Sequence, residues 1–327
     1  MMKENEKLDR LNSLLKSYNR IVLWGFTENR HSHYFIHQSY YKFLSKHTDS
    51  KIIWIENNTE NNELLESGDL VMVPDVHLNT PYEQLKLEKP RTDITYIFHP
   101  AKALPEDWFE NENLKYIRLF EYRNAYLRQF SAINDYFERW RPFVYFFPDA
   151  KTLLQPWGCH FTPSEFLEPS APVSNEIYFI GTLWGDEEGK VNGNRKKIKD
   201  FEHKCQQSQM DFKVLSGISD EEEIKTIRTS LFAPNIGALY HDVDSYLQCR
   251  TFKSIAYGAL VITDTPGFKE ILKEGFVEFQ NWSEAIEKIK GMTEEERLAI
   301  IQKQQDFIKN YTYLDHWLNI LEGLERL

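Results

Sequence analysis

Ser245 to Asp264 reads SYLQCRTFKSIAYGALVITD, and it predicts a helix ending near Ala256, a cap at Gly258 and a short apolar strand over Ala259 to Ile262. A glycine suits that turn because it enters left-handed backbone without strain. Helix, glycine and buried strand in that order are the closing half of a βαβ unit. Upstream the same rhythm repeats. Strands are predicted over Glu176–Ile180, Asp211–Leu215 and Leu231–Ile236, with helices from about Asn194 to Ser208 and Asp220 to Thr229 between them.

The amino-terminal half carries its own series. Apolar, β-rich runs fall at Arg20–Phe26, Lys51–Glu56, Asp69–Val73, Asp93–His99, Leu114–Phe120 and Pro142–Phe147, mostly with room for crossovers between them. Leu153 to Ser174 holds Pro156, Pro163, Pro169 and Pro172 and reads as the linker. Leu8, Leu11, Leu14 and Leu15 stripe a first helix, and Leu314, Trp317, Leu318, Leu321 and Leu324 stripe a last one. The expected fold is α/β, two tandem doubly wound Rossmann-like domains with a cleft between them, divided as residues 1–160 and 161–327.

Composition narrows the function. The 327 residues are 41% hydrophobic, enough for two cores, and no run of 18 apolar residues occurs. The charged start MMKENEKLDR is unlike an export signal, so the chain reads as cytoplasmic and without a transmembrane segment. Cys159, Cys205 and Cys249 are far apart and fit a reducing compartment as inert thiols. A formal net charge of -11 repels polyanions, which argues against nucleic acid as a partner. It does not argue against a small phosphate ligand held locally.

Ligands of open parallel sheets sit beyond the carboxyl ends of the strands. Ile180-Gly181-Thr182 is such an end, and Asn192-Gly193-Asn194-Arg195 forms a turn with Asn194 placed to cap the next helix. Arg195 then falls in a first helical turn, where the dipole disfavours a cation unless an anion offsets it. A solvated surface arginine is the plainer reading. Arg250 and Lys253, three apart, share a helix face.

Residues Arg250 to Asp264 resemble the R-x-F-E-x-x-A-x-G-x-x-x-[IL]-T-D signature of glycosyltransferases related to the spore-coat maturation protein CgeB, within the GT-B enzymes. The likeness runs over about residues 176–320. It implies that Gly181, Arg195 and Arg250 surround a donor diphosphate, with Thr182, Tyr246 and Lys253 in the same donor-binding set. One departure stands out: the paired glutamates of retaining members are replaced by Ser245 and Lys253. Lys253 then reads either as a further phosphate contact or as a snorkelling surface lysine.

After the first strand comes His31-Ser32-His33-Tyr34-Phe35-Ile36-His37. His31 or His33 there would serve as general base on an acceptor hydroxyl, with loop hydrogen bonding as the bland alternative. His33 and His37 are four apart, but no third ligand type accompanies them, so no metal site is expected. His99, Glu121 and Asp149 end apolar strands and are candidate acceptor-side residues. Asp242 and Asp244 form a DxD triplet that reads as helix capping.

These observations lead to a metal-independent hexosyl- or pentosyltransferase. It would move a sugar from a nucleoside diphosphate sugar, its co-substrate, to a glycan or other hydroxyl acceptor, with no cofactor. A nucleotide-sugar epimerase on the same fold and a non-catalytic nucleotide- or sugar-binding protein are the alternatives.

Overall fold

The computed structural model describes residues 2–26, 32–74, 85–99, 104–120, 144–172, 175–188, 193–237 and 247–327. Two compact units emerge, the first Met1–Pro156 with Tyr313–Leu327 and the second Trp157–Thr312.

In the first unit β1 (Arg20–Gly25), β2 (Ile52–Glu56), β3 (Asp69–Val73), β4 (Thr95–Phe98), β5 (Lys115–Phe120), β6 (Tyr145–Phe147) and β7 (Thr152–Leu154) form one sheet. Its order is β2-β1-β3-β4-β5-β7-β6, parallel except for β6 against β7. β1 and β3 are buried along their whole length, which is why their sequences are almost unbroken apolar runs. The two charges in them answer each other: Arg20 donates from Nε and Nη2 to the Asp69 carboxylate at 2.8 and 2.6 Å, and Asp69 is fully buried. Chain order reverses between β1 and β3, which puts the switch point of this sheet at their carboxyl ends.

Two expectations change here. Leu153 and Leu154, expected at the start of the linker, belong with Thr152 to a strand of the first sheet; three residues are too short to show an apolar period, and the strand is placed by the Pro148–Lys151 turn and by pairing with Phe120. The terminal helix, with all of 161–327 assigned to the second domain, lies instead in the first unit. Counting helices among the described residues, it is α9 (Tyr313–Glu325), and its buried face meets α1 (Glu4–Leu15). Lys7 pairs with Asp315 at 2.5 Å and Arg10 with Glu325 at 2.6 Å. A Cβ on Gly323 would lie 2.8 Å from Ile117 of β5, so the helix rests directly on the sheet.

The second unit is built from two parallel pairs, β8 (Glu176–Ile180) with β9 (Asp211–Leu215) and β10 (Ala233–Asn235) with β11 (Val261–Thr263). Around them lie α3 (Arg195–Gln207), α4 (Asp220–Thr229), α5 (Cys249–Ala256), α6 (Gly267–Leu272), α7 (Trp282–Lys290) and α8 (Glu294–Ile308). Ile177, Phe179, Phe201, Phe232, Ile262 and Ile286 make the core. Gly258 follows α5 as expected from sequence, at φ +78°, and a Cβ there would strike the Glu168 carbonyl oxygen at 2.3 Å. Buried polar side chains finish the backbone bonding. Gln304 of α8 accepts from Val261 N at 3.1 Å and donates to Val261 O at 2.8 Å and Gly275 O at 3.0 Å, acting as a missing neighbour strand for β11. The three cysteines are free thiols, and burial pushes that of Cys205 up to about 12.

Candidate functional site

The carboxyl end of β8 brings two of the residues picked from sequence together. Gly181 N donates to Leu215 O of β9 at 2.8 Å, which continues the strand pairing to its last residue. Arg250, in the first turn of α5, lays its guanidinium over the Phe179 ring at 4.5 Å. A Cβ on Gly181 would stand 3.0 Å from Arg250 Nη1 and 3.3 Å from Phe179. Glycine at 181 is thus what lets the cation lie against the strand end, and stacking on the ring holds its plane.

The loop that follows is tied from below by the turn ahead of α3. Asn194, buried at the N-cap of α3, makes no capping bond with its side chain; its Oδ1 accepts from Trp184 N at 3.0 Å and its Nδ2 donates to Thr182 O at 3.1 Å. Backbone N–H groups of Asn194 and Arg195 both donate to Trp184 O at 3.1 Å. Arg195 itself turns back, donating from Nε to Gly185 O at 3.1 Å and from Nη2 to Leu183 O at 3.5 Å. Carbonyl dipoles therefore offset a cation that the helix dipole disfavours. Thr182 is exposed on this braced loop.

Lys253, one turn beyond Arg250, pairs through Nζ with Glu223 of α4 at 2.7 Å. Burial works to lower the lysine pKa, but Glu223 leads a group of nearby anions that outweighs it, and the net shift is upward. The ammonium stays charged. A small pocket lies among these elements, lined by Ile180, Glu223, Asn235, Arg250, Thr251 and Ser254. Glu223, Asn235 and Thr251 escaped the sequence reading. Asn235 carried a usable signal, since it ends a strand just as Ile180 does; Glu223 and Thr251 sit inside helices and carried none.

Of the candidates in the first unit, only His99 and Asp149 have side chains among the described residues, and they lie at opposite edges of the sheet. His31 and Glu121 lie outside the described residues, as do Tyr246, Asp242 and Asp244 of the second unit. His33 falls in the first turn of α2 (Ser32–His47), with its side chain outside the description. His99 does follow β4 at the carboxyl edge, and it is fully buried. Its Nδ1 is 3.3 Å from His37 Nε2, with the two rings parallel and 5.5 Å apart. Tyr40 Oη lies 3.0 Å from His316 Nδ1 nearby, and burial pushes His316 down to about 4. Asp149 is corrected outright. β6 runs antiparallel to β7, so the end of β6 and Asp149 after it fall at the amino edge of the parallel strands, opposite the switch point.

Among the described residues no three His, Cys, Asp or Glu side chains gather as a metal site, and no helix is long and apolar enough to cross a membrane.

Residues 170–323 match the sequence profile of a family described as glycosyl transferase-like. No curated protein sequence matches the chain. Solved structures share its fold at low identity. The phage T4 β-glucosyltransferase in complex with UDP and Mn2+ is 13% identical with a TM-score of 0.53, covering 94% of this chain and 99% of that one. A UDP-forming α,α-trehalose-phosphate synthase from Burkholderia vietnamiensis is 12% identical with a TM-score of 0.50, covering 95% and 99%. The trehalose-6-phosphate phosphatase N-terminal domain of Candida albicans is 10% identical at 0.50, covering 98% and 93%. Residues 170–323 are thus similar to the glycosyl transferase-like family, and the chain shares the GT-B fold of these structures.

Proposed function

We propose that this protein is a glycosyltransferase that moves a hexosyl or pentosyl group from a nucleoside diphosphate sugar to a hydroxyl of a glycan or other acceptor, with the donor held at the carboxyl end of β8. The observation that carries the reading is the Arg250 guanidinium laid against Gly181, where the absence of a Cβ lets the cation reach the carboxyl end of the strand. As the sugar departs, negative charge grows on the diphosphate. A guanidinium answers it through two parallel charge-assisted hydrogen bonds, already oriented by Phe179. The braced loop of Thr182 to Gly185 adds a surface that need not reorganise. UDP is among the nucleotides to try first, because one structure of this fold is a complex with UDP and another is of a synthase named as UDP-forming.

In this proposal the protein's own cations balance the leaving group, and turnover persists in a chelator. His31 or His33 takes the acceptor proton, and the first unit supplies the acceptor side. A thermal-shift screen against UDP-, GDP-, ADP-, CMP- and dTDP-sugars tests the donor assignment, since a ligand that binds only the folded state raises the melting temperature. One class should stabilise the wild type and lose its effect in Arg250→Ala. No shift with any of them overturns the reading. With the donor known, nucleoside diphosphate release that requires an acceptor marks the transferase, whereas conversion of the donor alone would mark an epimerase.

A further inference from the structure

Two buried polar atoms in the pocket beside Arg250 are left over once the protein's own hydrogen bonds are counted. Asn235, 1% exposed at the end of β10, spends both amide hydrogens on neighbours, Gln248 Oε1 at 2.8 Å and Thr263 Oγ1 at 2.9 Å. Thr263 Oγ1 also accepts from Thr265 N at 3.1 Å, which fixes the network at its far side. In that orientation Asn235 Oδ1 has no hydrogen-bond partner among the described residues. Thr251, also 1% exposed, follows Arg250 on α5, and its Oγ1 has none either. It forgoes even the bond to the preceding helical turn that threonines commonly make. Both residues line the same pocket as Arg250.

Leaving such a group unpaired costs about 1–3 kcal/mol, and native proteins retain few of them. Resting on the donor-site reading above, we infer that Asn235 and Thr251 recognise a hydroxyl of the donor's sugar, on the ring attached to the diphosphate that Arg250 holds. The chemistry selects that partner. An amide oxygen only accepts, and an ionised diphosphate has no hydrogen to offer it, so the phosphates cannot be what Asn235 reads. A hydroxyl gives one hydrogen and accepts another, which matches an amide oxygen and a threonine hydroxyl in one pocket. The ring in question is the ribose or the transferred sugar, both of which carry such hydroxyls.

Thr251→Val keeps the shape and deletes the hydroxyl, and Asn235→Ala deletes the acceptor. Both are titrated calorimetrically with the nucleotide sugar that most stabilises the wild type in the screen above, with its free nucleoside diphosphate and with inorganic pyrophosphate. Each variant should lose about three- to tenfold in affinity for the nucleotide sugar and none for pyrophosphate. A loss shared by the free diphosphate assigns the ribose; a loss confined to the nucleotide sugar assigns the transferred sugar. The ligand-free melting temperature gives a second readout. It should hold or rise in Thr251→Val, because an unanswered polar group has been removed, whereas a hydroxyl with a structural task would lower it. Unchanged nucleotide-sugar affinity in both variants overturns the inference, and so does an equal loss for pyrophosphate. Where Arg250→Ala weakens binding and these two do not, this inference alone falls; where no nucleotide sugar binds the wild type, the donor-site reading falls with it.

Discussion

The two units solve the same problem of satisfying buried backbone in different ways. The first closes seven strands into one ladder, and each inner strand finds its partners in the next. In the second, β10 and β11 are three residues long, and side chains from helices complete the bonding: Gln304 on Val261, Gln305 on Leu167 O and Ile255 O, and Arg297 on Leu231 O. Burial lowers the Arg297 pKa to about 10, a measure of how far that guanidinium has been drawn inside. A ladder distributes its cohesion over many equivalent bonds. A strand held by a few side chains depends on each of them.

Gln304→Leu should break the second arrangement hardest. It strands Val261 N, Val261 O and Gly275 O in the core, at a cost of about 3 kcal/mol or more. Denaturant melts followed by hydrogen exchange should show the second unit opening first and the strands of the first unit protected as before; uniform loss of protection would erase the contrast.

Acid should strike the other unit, by a comparable amount. His316 is neutral in the fold at a pKa of about 4 and ordinary when unfolded, so the unfolded chain binds the extra proton between about pH 6.5 and 4. Stability present above pH 6.5 is therefore lost as the pH falls, by about 3 kcal/mol at pH 4. The proximate cause is burial, with His99 adding to it and Asp315 and the Pro156 carbonyl opposing. Stability measured from pH 7 to pH 4 in wild type and His316→Gln should diverge in slope, and parallel curves would place the titration elsewhere.

Binding effects come next. Arg250→Ala should cost about 1.5–3 kcal/mol, or ten- to a hundredfold in affinity for nucleotide sugar and free diphosphate alike, with Arg250→Lys recovering part. Calorimetry on the folded variant checks it. Lys253→Met should do less, under about fivefold, because Glu223 already offsets that charge. A loss as large as that of Arg250→Ala would mean that the lysine leaves Glu223 for the ligand.

The same contrast governs what could be read from sequence. Inner strands such as RIVLWG and DLVMV announce themselves, because burial on both faces leaves room for little else. Gly258 was legible for a local reason, the left-handed backbone at the turn after a helix, whereas the crowding at Gly181 comes from Arg250, 69 positions away. Asn194 was placed correctly at a helix start and given the wrong task, since its bonds run back to a loop ten and twelve residues upstream. Gln304 meets Val261 across 43 positions, and Glu223 meets Lys253 across 30. Periodicity reports which face of an element is buried; it cannot report which distant carbonyl a buried amide will answer. Asp149 failed for a topological reason, because nothing in the run before it marks one short strand as reversed.

The return of α9 to the first unit sets an order of events during synthesis. Residues 157–312 must all leave the ribosome before the helix that covers α1 and β5 exists. At about 5–20 residues per second, that interval lasts on the order of 10–30 s. Throughout it the first sheet stands with an apolar flank uncovered, and at its end the later-made unit has every segment it needs while the first still lacks α9. The unit begun first is thus the one finished last, and the newborn chain is at its most adhesive on the side of its oldest helix.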